Sequence, residues 1–142
     1  MKILFVCRFN VGRSQMAAAL YNKYAQDGHA DSSSTMVGDE DGQTLQERAA
    51  VVPAAQYVLD TMQAEGLDVS QSKRTQLTED MLNDYDKVVV MAEPEVIPDY
   101  LSKSPKFEYW GIEDPRSKGA EGIAVIKDDI KERVIRLIKQ SA

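Results

Sequence analysis

Residues 87–91 read Lys-Val-Val-Val-Met, apolar without alternation. A strand with one wet face alternates, so an unbroken run of this length marks a strand buried on both faces, as in a parallel sheet covered by helices. Residues 2–6 (Lys-Ile-Leu-Phe-Val) make a second such run, rich in β-branched and aromatic side chains, ending at Cys7. After a polar, glycine-containing stretch the period changes. Met16, Ala17, Leu20, Tyr21 and Tyr24 share one helical face, which predicts a helix from Gly12 to about Gln26, stopped at Asp27-Gly28. Strand and helix in alternation predict an α/β domain with a mostly parallel sheet.

The remaining elements are read the same way. Residues 32–37 are a strand candidate despite their serines, and residues 38–47 an acidic loop without periodicity, Asp39-Glu40-Asp41 being solvated. A helix begins around Val52-Pro53, with Pro in the first turn where its missing donor costs little, and ends at Gly66. Its apolar stripe is Ala55, Val58, Leu59 and Met62. Thr78 can cap a short helix through about Asn83, Pro94 and Pro98 interrupt helical character over residues 93–101, and residues 107–110 form a fourth strand candidate. Ile126, Ile130, Val134, Leu137 and Ile138 define a strongly amphipathic last helix.

With 142 residues and no linker, repeat or low-complexity segment, residues 1–142 are expected to form a single domain. Lys plus Arg number 17 against 23 Asp plus Glu, a net charge of -6, which disfavours a sequence-independent nucleic-acid binder. No apolar run is long enough to span a membrane, and the N-terminus lacks the long apolar region and cleavage site of a signal peptide. One cysteine excludes an intrachain disulfide, so a cytoplasmic location is expected.

In open α/β sheets ligands bind beyond the carboxyl ends of strands, where a loop enters a helix. The loop in that place is Cys7-Arg8-Phe9-Asn10-Val11-Gly12-Arg13-Ser14. Wrapped ahead of a helix N-terminus, it would aim successive backbone N–H groups at its centre and make an anion site. Arg13 adds a planar fork suited to two phosphate oxygens. Cys7 on the floor would feel the same field, which favours thiolate, and Ser14 could donate its hydroxyl to the sulfur. Asn10 tolerates left-handed backbone and can bond across the loop. A free cysteine at a strand end is also simply a small apolar core residue. The Cys–Arg spacing does not decide between the two readings; the placement between strand and helix favours the functional one.

Cys7-x5-Arg13-Ser14, with Asn10 inside and a strand before it, resembles the low-molecular-weight protein tyrosine phosphatases and the related arsenate reductases. Asp114-Pro115 resembles that family's general-acid loop, residues 87–91 its central strand and residues 119–139 its closing helix. The resemblance implies a four-stranded parallel sheet flanked by helices on both faces. It also implies a metal-independent phosphomonoester hydrolase with no cofactor. Cys7 would attack phosphorus and form a phosphocysteine, Asp114 would act as acid and then base, and Arg13 with the loop Arg8, Phe9, Asn10, Val11, Gly12 and Ser14 would bind the phosphoryl group. The implied partner is a phosphorylated protein or a small phosphomonoester.

The chain departs from the pattern in places. Gly12 stands where many members carry a second cysteine, so an oxidised Cys7 would need an external thiol. Arg116-Ser117 replaces the aromatic residues common after Asp-Pro, leaving Phe9, Tyr109 or Trp110 to wall the site, with core packing the expected role of Tyr109. Ser32-Ser33-Ser34-Thr35 replaces a Ser-Ala-Gly-Thr pattern. The stretches at residues 12–17 and 110–115 resemble the arsenate reductase branch, so arsenate with an external thiol and a redoxin is the alternative substrate set. A non-catalytic anion-binding module is a third reading. His29 is expected to be exposed on a turn, Arg8 to sit at the rim, and Tyr85 and Tyr100 to pack as amphipathic residues.

Overall fold

A computed structural model describes residues 1–141. Its centre is a four-stranded sheet built from β1 (Lys2–Cys7), β2 (His29–Ser34), β3 (Lys87–Val90) and β4 (Phe107–Tyr109). The strand order is β2-β1-β3-β4 and every pairing is parallel. The two runs without alternation, β1 and β3, are the inner strands, where both faces must be apolar. Five helices connect and cover the sheet: α1 (Arg13–Tyr24), α2 (Leu45–Ala49), α3 (Pro53–Ala64), α4 (Asp99–Ser102) and α5 (Gly119–Ser141).

Successive side chains of β1 point to opposite faces and so build two separate cores. Ile3, Phe5 and Cys7 face the larger one, with Met16 and Leu20 of α1, Val58 and Met62 of α3, and Ile123, Ile130 and Val134 of α5. Leu4 and Val6 face the smaller one, with Val88, Val90, Leu77, Leu82 and Leu101. That face is covered by a 3-10 turn at Glu79–Asp84 and by α4. Phe5 packs its ring against Tyr21 and Trp110, with centroids 6.1 and 5.8 Å away. Removing such a ring costs about 3–5 kcal/mol. No described helix is long and apolar enough to cross a membrane.

The predicted elements fall where the hydrophobic period is strong. β2 begins three residues before the predicted strand, at His29 rather than residue 32, because parallel pairing sets Lys2 beside His29 and Cys7 beside Ser34. Its polar side chains carry no period because several bond sideways. Asp31 accepts from the Tyr85 hydroxyl at 2.7 Å, and Ser33 donates to the Thr75 carbonyl at 3.0 Å. His29 is exposed as expected, but it opens this strand rather than lying on a turn.

Residues 38–47 are likewise more than a solvated loop. A 3-10 turn occupies Gly38–Glu40, and a capping box between Thr44 and Glu47 starts α2. Glu40 accepts hydrogen bonds from Arg74 at 3.0 Å and Arg48 at 2.8 Å. Tyr109, expected in the core, is 44% exposed and stacks on Phe107 instead, because β4 is an edge strand whose outer face has no covering layer at that point.

Candidate active site

The loop between β1 and α1 is held open from outside. The Arg8 carbonyl accepts from the Met36 amide at 2.9 Å and from the Ser34 hydroxyl, the Phe9 carbonyl from Arg74 Nε at 3.0 Å, and the Asn10 carbonyl from Gln15 Nε2 at 3.2 Å. In a trans peptide the C=O and the next N–H point in opposite directions. Tying these three carbonyls to the surrounding scaffold therefore turns the N–H groups of Phe9, Asn10 and Val11 towards the loop's interior. Asn10 makes the turn possible with a left-handed φ of 55°, a conformation its short polar side chain tolerates. Its Oδ1 accepts from the Thr75 amide at 2.8 Å, and its Nδ2 donates to Ser14 Oγ at 2.7 Å.

That last bond fixes the Ser14 proton. With Oγ accepting from Asn10, its one hydrogen is free to point at Cys7 Sγ, 3.0 Å away. Asn10 and Ser14, both named from sequence as phosphate binders, are fully buried behind the loop. They shape it and address the sulfur rather than line the cavity. The first turn of α1 has no side-chain N-cap and no acidic residue, so its N–H groups and positive dipole end remain available to an anion.

Arg13 is buried to 2% exposure and its orientation is locked. Nη1 donates to the Met91 carbonyl at 2.6 Å, Glu93 Oε2 at 2.8 Å and the Ile112 carbonyl at 3.1 Å, while Nη2 reaches Glu93 Oε1 at 3.3 Å. One edge of the guanidinium is thus anchored, leaving Nε and part of Nη2 without an acceptor among the described residues. Burial works against the charge, but the Glu93 hydrogen bond and the negative groups Cys7, Glu93 and Asp114 outweigh it and hold the Arg13 pKa above its ordinary value. Glu93 moves the other way. Desolvation opposes its ionisation, yet the hydrogen bond and charge of Arg13 bring its pKa below the usual carboxyl range.

Asp114 stands at the start of a 3-10 turn, Pro115–Ser117, which it caps by accepting from the Arg116 amide at 2.9 Å. Its Oδ2 lies 3.9 Å from Arg13 Nη2. A Cβ at Gly12 would meet Pro115 Cγ at 3.0 Å, so the glycine lets the Asp114-Pro115 segment close over the loop. Cys7, Phe9, Val11, Gly12, Arg13 and Asp114 line one cavity, which brings six of the residues nominated from sequence together. Arg8 stands at its rim, with its guanidinium over the Phe9 ring at 5.2 Å. Trp110 is buried against Phe5 and does not wall the cavity.

Several residues of the site had no sequence nomination. Arg48 from α2, Val52 just before α3, and Ala54 and Val58 from α3 line the same cavity. Arg74, 1% exposed, holds the Phe9 carbonyl. Glu93 could have been found, since it lies just beyond the carboxyl end of β3, beside the loop that follows β1.

Comparisons with known proteins agree with this architecture. A glutaredoxin arsenate reductase of Synechocystis sp. is 28% identical over 138 residues, covering 96% of this chain and 95% of the relative. Two solved structures share the fold. Vibrio vulnificus Wzb in complex with benzylphosphonate superposes with a TM-score of 0.81 at 20% identity, covering 98% of this chain and 97% of the other. The low molecular weight protein tyrosine phosphatase from T. tengcongensis gives 0.78 at 23% identity, with 99% of both chains covered. The family model described as low molecular weight phosphotyrosine protein phosphatase matches residues 2–142, and the chain belongs to that family.

Proposed function

We propose that the chain hydrolyses phosphomonoesters through a phosphocysteine formed on Cys7. The observation that carries this reading is the convergence on one cavity of Cys7 Sγ, the anchored Arg13 and the Asp114 carboxylate, with the loop amides turned inward. Cys7 Sγ, as thiolate, attacks phosphorus in line with the leaving oxygen. The S–P bond forms as the P–O bond breaks, and Asp114 gives its proton to the departing oxygen. Ionised Asp114 then takes a proton from water as that water attacks phosphorus. The S–P bond breaks, and phosphate leaves with the thiolate restored. Arg13 and the amides of the loop and α1 stabilise the equatorial oxygens in both steps, and Ser14 stabilises the sulfur as leaving group.

A phosphorylated protein or a small phosphomonoester is the partner this chemistry takes. The test is hydrolysis of p-nitrophenyl phosphate by the wild type and by Cys7→Ser. The expected result is loss of turnover in the variant with phosphate binding retained; substantial turnover by Cys7→Ser would overturn the assignment.

Arsenate reduction is the second reading, favoured by the near full-length match to the Synechocystis arsenate reductase. Arsenate has the shape and charge of phosphate and would form an S–As bond at Cys7 as one As–O bond breaks and that oxygen leaves as water. Reduction from As(V) to As(III) takes two electrons, supplied by two thiol sulfurs that end as a disulfide. The chain has one cysteine, so at least one of these thiols is external. Arsenate-dependent oxidation of a small thiol in the presence of a redoxin separates this reading from hydrolysis.

A further inference from the structure

The outer part of the cavity gathers further guanidinium groups, set against the carboxylates of Glu40, Glu93 and Asp114. Besides Arg13, it is lined by Arg48 and Arg116, with Arg8 at the rim. Four of the seven arginines of a chain with net charge -6 gather at this one opening. Their partners leave donors over. Arg48 bonds Glu40 through Nη1 at 2.8 Å, but its Nε is buried with no acceptor. Arg116 stands over the Phe9 ring at 4.8 Å, and its nearest carboxylate oxygen, Asp114 Oδ2, is 3.7 Å from Nε, beyond hydrogen-bond reach. A guanidinium held by a ring face keeps its N–H edge free.

Buried donors without acceptors are rare in folded proteins and ask for a partner from outside. Phe9 is occupied by these cations and offers a flat neutral ring little free face. The same cavity is lined by Val52, Ala54 and Val58, an apolar wall for the body of a leaving group.

We propose that Arg48 and Arg116 form an anion subsite for a carboxylate carried by the leaving group of the phosphomonoester. The preferred substrate is therefore a phosphorylated acid, either a small molecule or a phosphorylated residue flanked by Asp or Glu. The inference rests on the reading of the cavity as the phosphoryl site. The chain's overall negative charge does not oppose it, because screening over about 8 Å at physiological salt leaves the local arginines in control.

The test is calorimetric binding of benzylphosphonate and 4-carboxybenzylphosphonate, which reads the subsite without turnover. The wild type is expected to bind the carboxylate about ten- to a hundredfold more tightly, the range of one or two charge-assisted hydrogen bonds. Arg48→Gln and Arg116→Gln should each shrink that ratio towards one. Kinetics on phosphotyrosine peptides with flanking Glu or Gln, set against 3-carboxyphenyl and phenyl phosphate, tell a peptide source of the carboxylate from a small-molecule one. Equal affinity for the two phosphonates in the wild type overturns the inference alone, as does a preference that survives both substitutions. Failure of both ligands to bind overturns the reading of the cavity itself, and the inference with it. Because the wild-type comparison decides the sign, the result does not depend on how well Arg48→Gln folds.

Discussion

Replacing Glu93 with Gln tests how the site holds its central cation. Arg13 donates four hydrogen bonds, two of them to Glu93, and its guanidinium is almost fully buried. A charge-assisted bond contributes about 1.5–3 kcal/mol net. Gln keeps one acceptor oxygen and the same shape, and the Glu93 side chain is 27% exposed, so solvent takes part of the difference. The expected loss at neutral pH is about 1–2 kcal/mol. The pH dependence follows from the direction of the shift. Glu93 has a lowered pKa in the folded protein, so its contribution is fully present above the unfolded carboxyl value and lost as pH falls through the folded one.

Urea unfolding of wild type and Glu93→Gln should therefore differ most at neutral pH and converge as pH falls below the ordinary carboxyl range. In steady-state kinetics the loosened guanidinium should lower kcat by about tenfold or more, because misplaced groups lose transition-state contacts first. Equal stability at neutral pH, or a difference that does not change with pH, would refute the idea that this carboxylate anchors Arg13.

Asp114→Ala should slow the first-turnover release of phenol from phenyl phosphate by about 10²–10⁴, the range of general-acid catalysis, and that of p-nitrophenolate from p-nitrophenyl phosphate far less, since p-nitrophenolate leaves without a proton. A leaving-group-independent loss would contradict its role. Glu65 joins α1 to α5: its carboxylate accepts from Lys127 at 3.0 Å, Lys131 at 3.0 Å, Tyr24 at 3.1 Å and Lys23 at 3.3 Å. The hydrogen bond from Lys127 leads the causes that lower its pKa to about 2, against a smaller opposing desolvation. Glu65→Gln should cost about 1–2 kcal/mol at neutral pH, a loss that disappears as pH falls from the unfolded carboxyl value through about 2, read by unfolding at several pH values.

Legibility of the fold from sequence followed the strength of the hydrophobic period. β1, β3, α3 and α5 present either unbroken apolar runs or clear stripes, and their positions were readable. The reading starts β2 three residues late because Ser33, Ser34 and Asp31 satisfy themselves through long-range bonds, which no local pattern encodes. In the site, the Cys7–Ser14 loop is a local object whose residues are chain neighbours, so it stands out in the sequence, while the burial of Asn10 and Ser14 behind it does not. Glu93 and Arg74 reach it from 80 and 65 residues away, by contacts that only the sheet order creates. Arg48 was hidden by the acidic loop before it, which conceals the capping box that starts its helix.

The central claim is that the sulfur of Cys7 becomes covalently bonded to phosphorus. Rapid acid quenching of Asp114→Ala during turnover of p-nitrophenyl phosphate, followed by peptide mass spectrometry, tests it directly. In this variant the second step lacks its base, so an added phosphoryl group should appear on the peptide containing Cys7 and vanish in Cys7→Ala. Turnover with no phosphorylated Cys7 peptide at any quench time, or with the label on another residue, would contradict the account.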